Sequence, residues 1–347
     1  MNVWQVISGD CDEVLDTLEV EFFDSMVTDP PSGIGFMGKS WDSYGSLLQF
    51  QDALTTTFVK SIRVLKPGAQ VLVWALPRTS HHTACALERA GFEIRDMFSH
   101  IFGQGMPKGL NVAGGLPPEI ASKWEGWNTA LKPAHEVWWL ARKPLIGTVV
   151  ENITRYGVGG INIDDCRVGT SKNVPSSVSR TAGLSYSGSV DGSLRRETGQ
   201  EGGHDPNLGR WPTNLILSHA PDCREAQCGE GCPVFELYKQ VWKESPFFYT
   251  PKVSAGERKL KGRVNSHPTV KPVALMRYLV RLVTPPGGIV LDPFAGSGST
   301  GVAALKEGFQ FVGVELDTES CEIANLRLAD AVSDYESRQI AILSHDE

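Results

Sequence analysis

Two short segments carry side chains that could do chemistry at a defined spacing. The first is "VTDPPSG" (27–33), where an apolar run ends in Asp29-Pro30-Pro31 followed by Ser32. A carboxylate beside a rigid turn that frees a proline carbonyl offers two hydrogen-bond acceptors, Asp29 and the carbonyl of Pro30. An exocyclic amine on an aromatic base needs two acceptors, because its lone pair is delocalised into the ring. Holding both N–H bonds draws the nitrogen toward tetrahedral geometry and makes it nucleophilic, a gain from positioning and electrostatics. A rigid turn after a strand, with no chemical task, reads the same way, so this segment needs company.

The second segment, "DPFAGSGSTG", supplies it. Gly296-x-Gly298-x-x-Gly301 follows the strand-like Ile289-Val290-Leu291 and opens a helix, and the acid Glu315 ends the next strand. In such a unit glycines let the backbone approach a ligand and the acid binds ribose hydroxyls. A nicotinamide dinucleotide and S-adenosylmethionine both satisfy that geometry. Asp292, just before the turn, favours the second: its carboxylate suits a cationic amino group and repels a pyrophosphate. The 46 residues after Gly301 are also few for completing a dinucleotide domain and adding a substrate domain.

A third cluster lies between them. "SHAPDCREAQCGEGCPV" places His219, Cys223, Cys228 and Cys232 close together. One His and three Cys fit a closed, structural tetrahedral zinc site; free thiols in a loop are the plainer alternative. A small inserted region with little core would gain from such a staple.

These groups must be held by something. Strand-like runs at 24–29, 70–76, 92–102 and 135–142 alternate with helical spacing over 46–68, stopped by Lys-Pro-Gly, and over 79–91, with Thr79 or Ser80 as cap. Regularity returns with an amphipathic helix over 272–283, the strand–turn–helix–strand of 285–317 and a closing helix over 318–331. That alternation predicts an α/β fold, a doubly wound, mostly parallel Rossmann-like sheet covered on both faces. Both chemical loops would then end parallel strands along one edge of the sheet, where such folds bind ligands. Between them, 16 of residues 169–209 are Gly or Ser with no apolar period, so an inserted region is expected over 145–250. It divides the chain into a catalytic half (1–144), the insertion, and a cofactor half (251–347).

Net charge of −7 argues against a protein that merely coats nucleic acid. Locally the balance reverses: residues 251–281 carry eight Lys or Arg against one acid, Glu257. This is either a solvated face or a strip that contacts phosphates. No apolar stretch is long enough to span a membrane. The first residues lack the pattern of a signal peptide, and seven cysteines in 347 residues do not suggest a disulfide scaffold. The expectation is a cytoplasmic protein of a bacterium or its virus.

In this order, "SGDCDEVL" (8–15), "DPPSG", "HPTVKP" (267–272), "LDPFAGSGST" and "GVELD" resemble the amino-methylating DNA methyltransferases that act on adenine N6 or cytosine N4, in their permuted β arrangement. There the Asp-Pro-Pro half comes first, a target-recognition insertion follows and the cofactor loop comes last. The resemblance implies a restriction-modification type of enzyme that takes S-adenosylmethionine and double-stranded DNA. It implies that Asp29, Pro30, Pro31 and Ser32 form the catalytic turn. Asp10 would approach the cofactor adenine, and His267, Thr269 and Lys271 would line its methionine and ribose side. Asp292, Phe294, Gly296 and Gly298 would form the loop, and Glu315 would hold the ribose. Asp10 alone reads as a helix cap and His267 alone as a surface histidine. Lys252, Arg258, Lys259, Lys261 and Arg263, with Arg155, Arg167, Arg195, Arg196 and Arg210 of the insertion, would meet DNA. Relatives of this kind are often homodimers; neither that nor a restriction-enzyme partner can be read from the residues.

Ser32 departs from the pattern. The family has an aromatic there that stacks on the extruded base, worth roughly 1–3 kcal/mol. Phe36, Trp41 or Tyr44 could stack instead, on a loop given freedom by Gly33, Gly35 and Gly38. Asp rather than Ser before Pro-Pro resembles the adenine enzymes, with cytosine N4 as the alternative base. A methyltransferase for RNA or a protein amide, and a DNA-binding protein disabled at Ser32, are the rival readings.

Overall fold

The computed structural model describes residues 3–103, 109–168, 211–219 and 270–343, and between the last two segments Cys223, Cys228, Cys232, Val234, Phe235, 248–250, 259–260 and 263–264. Among these residues the strands and helices, in chain order, are β1 (Trp4–Ser8), α1 (Cys11–Thr17), β2 (Phe23–Thr28), α2 (Leu47–Val64), β3 (Leu65–Ala75), α3 (Ser80–Arg89), β4 (Glu93–Phe102), α4 (Pro118–Ala121), β5 (His135–Arg142), α5 (Val149–Tyr156), β6 (Leu215–Ser218), β7 (Phe248–Thr250), β8 (Lys259–Leu260), β9 (Arg263–Val264), α6 (Val273–Val283), β10 (Ile289–Asp292), α7 (Ser299–Lys306), β11 (Gln310–Glu315) and α8 (Thr318–Leu343). Nine of the strands form one sheet in the order β1-β11-β10-β2-β3-β5-β4-β6-β7. Every pairing is parallel except the two that β5 makes with β3 and β4. The expected doubly wound, mostly parallel sheet is what forms.

Strand periodicity divides the core between the two faces. In β3, Val71 and Val73 pack with α2 and α3, while Leu72 between them packs with α6 and α7. On the first face α2 buries Phe50, Leu54 and Phe58, four residues apart, at 0%, 2% and 0% exposure. Each contributes about 1.5–3 kcal/mol, which outweighs the weak helix propensity of Thr55, Thr56 and Thr57 in the same turn. On the second face Tyr278, Leu279, Phe311 and Leu328 form the centre.

Helix α2 ends earlier than its spacing predicts. The chain is already extended at Leu65 and β3 runs through Pro67 and Gly68, because the residue before a proline disfavours helical geometry. Thr79 stands at the N-cap of α3 yet makes no capping bond; its hydroxyl donates instead to the Ser32 carbonyl at 2.8 Å. The closing helix expected over 318–331 continues to Leu343.

The region expected as an insertion contributes to the same framework. Helix α5 has a capping box between Thr148 and Glu151. Its fully buried Asn152 donates to the carbonyls of Pro67 and Val158, both at 2.8 Å, and accepts from the Ile146 N–H at 3.0 Å. Strands β6 and β7 extend the main sheet beyond β4. Strands β8 and β9 form a separate antiparallel ribbon carrying Lys259 and Arg263. No helix among the described residues is long and apolar enough to cross a membrane.

Candidate functional site

The parallel strands deliver their C-terminal ends to one edge, and a cleft of about 1450 Å³ runs along it. Its wall includes Asp29, Pro30, Pro31 and Ser32 after β2, the Asp292–Gly296 turn after β10, Glu315 at the end of β11, and Asp10 after β1. Single small-molecule pockets hold roughly 300–1,000 Å³, so this one has room for a cofactor and a second, flat ligand. Because β5 runs antiparallel, it brings its first residues to the same edge, with Glu136 in the wall.

Asp29 is not alone there. The Lys271 ammonium donates to its Oδ2 at 2.6 Å and lies 4.1 Å from the centre of the Trp74 ring. Burial pushes the Asp29 carboxyl above its usual range; the Lys271 charge and hydrogen bond pull it back, and the nearby charge of Glu136 pushes again. For Glu136, burial is outweighed by Lys271 and by His100, which hold it down at about 2. Lys271 was expected beside the cofactor. Its ammonium is found on the Asp29 carboxylate, where it lies between two largely buried acids that share its charge. Beyond Glu136, His100 Nδ1 bonds its Oε1 at 2.8 Å and His100 Nε2 bonds Ser218 Oγ at 2.8 Å. A polar chain therefore crosses the floor from β5 through β4 to β6.

Ser32 has a defined task. Its hydroxyl donates to Asp42 Oδ2 at 3.0 Å and its N–H to Asp42 Oδ1 at 2.6 Å. The N–H groups of Gly33, Ile34 and Phe36 donate to the same carboxylate at 2.7, 3.2 and 2.7 Å. Asp42 is fully buried and thus clamps the loop that follows the Asp-Pro-Pro turn. An aromatic at position 32 would forfeit the hydroxyl bond. The left-handed backbone of Gly33 is required as well: a Cβ there would stand 2.6 Å from the Phe50 ring. Of the loop aromatics, Tyr44 packs edge-on against Phe50 at 5.3 Å and is also in the wall of the cleft. Phe36 and Trp41 stand 6.5 Å apart in the wall, with Trp41 37% exposed.

On the other side, Glu315 accepts from the Gly296 N–H at 2.7 Å and the Asp317 N–H at 2.8 Å. A carboxylate offers about four acceptor sites, so capacity remains for hydroxyls. Asp292 is buried and accepts from Thr28 at 2.7 Å and from the Phe294 N–H at 3.1 Å. Burial, helped by the charge of Asp29, pushes it up to about 6 despite those bonds. Asp10 caps α1 through the Asp12 N–H at 2.8 Å and is exposed in the wall. Gly298, expected at the ligand, starts α7 at φ +79°, where a Cβ would stand 2.8 Å from Leu328; it lets α7 pack on α8.

His267, Thr269, Lys252, Arg258, Lys261, Arg195, Arg196 and Arg210 lie outside the described residues. Arg155 lies over the Tyr156 ring, and Arg167 pairs with Asp164 at 2.8 Å and lies over Trp211. His219, Cys223, Cys228 and Cys232 come together, their ligand atoms all within 4.8 Å of one another. Sequence reasoning missed Asp42, Trp74, His100, Glu136 and Ser218. His100 and Glu136 stand among other polar residues of the strand-like runs 92–102 and 135–142, so nothing in the local pattern singled them out.

A family model described as DNA methylase, covering the N6 and N4 enzymes, matches residues 23–326. The DNA adenine methyltransferase YhdJ of Escherichia coli is 40% identical over 84 residues, 24% of this chain and 28% of that protein. The type II methyltransferase M2.DpnII of Streptococcus pneumoniae is 39% identical over 71 residues, 20% of this chain and 26% of that protein. The matched stretches thus span about a quarter of each relative. Among solved structures, the cytosine-N4-specific PvuII DNA methyltransferase aligns over 95% of this chain and 91% of its own, with a TM-score of 0.51 at 15% identity. That is a likeness of fold.

Proposed function

Since this chain belongs to the DNA methylase family, we propose that it transfers a methyl group from S-adenosylmethionine to an exocyclic base amine of double-stranded DNA, with adenine N6 as the amine. One observation carries the reading: Asp29 and Pro30, at the end of β2, open into the same cleft as the Gly296 turn and Glu315. The Asp before Pro-Pro and the likeness to an adenine methyltransferase support adenine over cytosine.

The residues present fit the cofactor. Asp10, Asp292 and Glu315 line the cleft, an acceptor set suited to ribose hydroxyls and a cationic amino acid and hostile to a pyrophosphate. When bound there, S-adenosylmethionine supplies an electrophilic methyl group. The chain supplies the rest. Asp29 accepts one amine N–H and the Pro30 carbonyl the other, turning the nitrogen lone pair out of conjugation. Lys271 opposes the effect of burial on Asp29, and its bond to Oδ2 leaves the other carboxylate oxygen for the incoming amine. The target base must leave the duplex to reach this depth. Lys259 and Arg263 on the β8–β9 ribbon belong to the basic stretch proposed to contact phosphates.

The test is transfer of labelled methyl to unmethylated genomic DNA, with product nucleosides resolved, for wild type and Asp29→Ala. Labelled N6-methyladenine, reduced at least about 10³-fold in the variant, is the expected outcome. Labelled N4-methylcytosine keeps the mechanism and replaces the base. DNA binding without any transfer, in a folded protein that binds cofactor, overturns the proposal.

A further inference from the structure

The floor of the cleft ends at Ser218, and the next residue is His219. We propose that His219, Cys223, Cys228 and Cys232 bind one structural Zn²⁺ that fixes the end of β6 and, through it, the His100–Glu136 wall of the cleft.

Three observations converge on this. First, the ligand set is complete and local: one imidazole nitrogen and three sulfurs lie within 4.8 Å of one another. Second, the spacing is that of a shell. A tetrahedron with Zn–S near 2.3 Å and Zn–N near 2.0 Å has S···N edges of about 3.5 Å; Cys228 Sγ and Cys232 Sγ lie 3.4 and 3.7 Å from His219 Nδ1. Third, the site is a buried one. Among the described residues Cys232 is fully buried with Leu217 and Val234, and the partly buried Cys223 and Cys228 pack against them beside Ile101, Leu215 and Phe235. A structural zinc held there contributes its binding energy directly to folding.

Four protein ligands close the shell, so the ion holds no water and performs no methyl transfer. Its effect is mechanical. Strand β6 pairs Leu217 with Ile101 and Ser218 with Phe102. Ser218 in turn orients His100, and His100 orients Glu136. Anchoring His219 therefore sets the strand end from which that chain of bonds starts.

The inference is independent of which base is methylated, and its tests do not use activity. The full chain, purified without added chelator, is expected to carry about one zinc per chain by elemental analysis. Cys228→Ser and Cys232→Ser should lose it, while Cys85→Ser, an exposed thiol on α3, should keep it. If the cluster variants fail to fold, wild type still decides. Replacing zinc by Co²⁺ should give the visible bands of a tetrahedral ion with thiolate charge transfer, and bound metal should protect three thiols from alkylation. A wild-type chain that carries no zinc, takes up no added Zn²⁺ or Co²⁺ and alkylates at the same rate with and without metal overturns the proposal. So does a mass showing a disulfide among Cys223, Cys228 and Cys232.

Discussion

On the cofactor side of the cleft, Glu315 holds the Gly296 and Asp317 N–H groups, and Asp292 holds the N–H two residues on. These bonds lie within one strand–turn–helix–strand unit, to which the Thr28 hydroxyl on Asp292 adds one long-range bond. On the target side, Asp29 meets Lys271, which itself lies over the Trp74 ring, and the field of Glu136, all from distant parts of the chain. The loop over them is held by one buried carboxylate, Asp42. A ligand side built locally keeps its shape as long as its turn is intact. A side assembled from far segments depends on a few long-range contacts, and one lost contact affects all of it.

Asp42→Ala should expose that difference most strongly. It leaves four backbone N–H groups without their acceptor, each costing about 1–3 kcal/mol if it stays buried. The loop should therefore open, and the rate of methyl transfer should fall at least about 100-fold. Affinity for S-adenosylmethionine, measured by calorimetry, should change less than about threefold, because no bond on that side involves Asp42. An equal loss of cofactor affinity would mean that the two sides form one cooperative unit.

The cofactor side has its own signature in pH. Burial raises Asp292 to about 6 in the free protein, so its protonated form is favoured below that value. A cationic ligand favours the ionised form, and binding must remove the proton when the pH is below 6. Cofactor affinity should thus be level above about pH 6 and weaken about tenfold per unit below it. The protein without ligand follows the opposite sign: with its carboxyl raised by folding, Asp292 costs stability as pH rises through 6. Calorimetric titrations between pH 5 and 8 check the first, and Asp292→Asn should flatten the curve. A curve already flat in wild type would remove Asp292 from the cationic end of the ligand.

The same contrast explains what the residues disclosed in advance. The Gly296 turn, Asp292 and Glu315 were legible because strand, glycines and acid are close in sequence, with local geometry linking them. The alternating helices and strands were legible for the same reason. Lys271 could be placed near the cofactor but not on Asp29, since that pairing comes from burial of two acids against one cation. His100, Glu136 and Ser218 converge only once β5 reverses direction between β3 and β4, and no local pattern announces a reversed strand. Asp42 was hidden because an acid in a loop reads as solvated, and here it is fully buried.

Ser32 gives the smallest and most discriminating effect. Its hydroxyl supplies one of five bonds to Asp42. Losing a bond to a charged group costs about 1.5–3 kcal/mol when buried, and less at this partly exposed site, so Ser32→Ala should slow transfer about tenfold or less. Ser32→Tyr restores an aromatic at the position where the family places one, and base stacking there would be worth about 1–3 kcal/mol. If the position serves the Asp42 clamp, the tyrosine variant gains nothing and does no better than the alanine variant, because the ring cannot replace the hydroxyl bond. Stacking then falls to the exposed rings of the cleft, Trp41 foremost among the loop aromatics, and Trp41→Ala should raise the KM for DNA in wild type and in both Ser32 variants alike. A tyrosine variant faster than wild type would break that account. It would show that the target side tolerates a looser loop, and that the clamp and the stacking aromatic are alternative ways of holding one base.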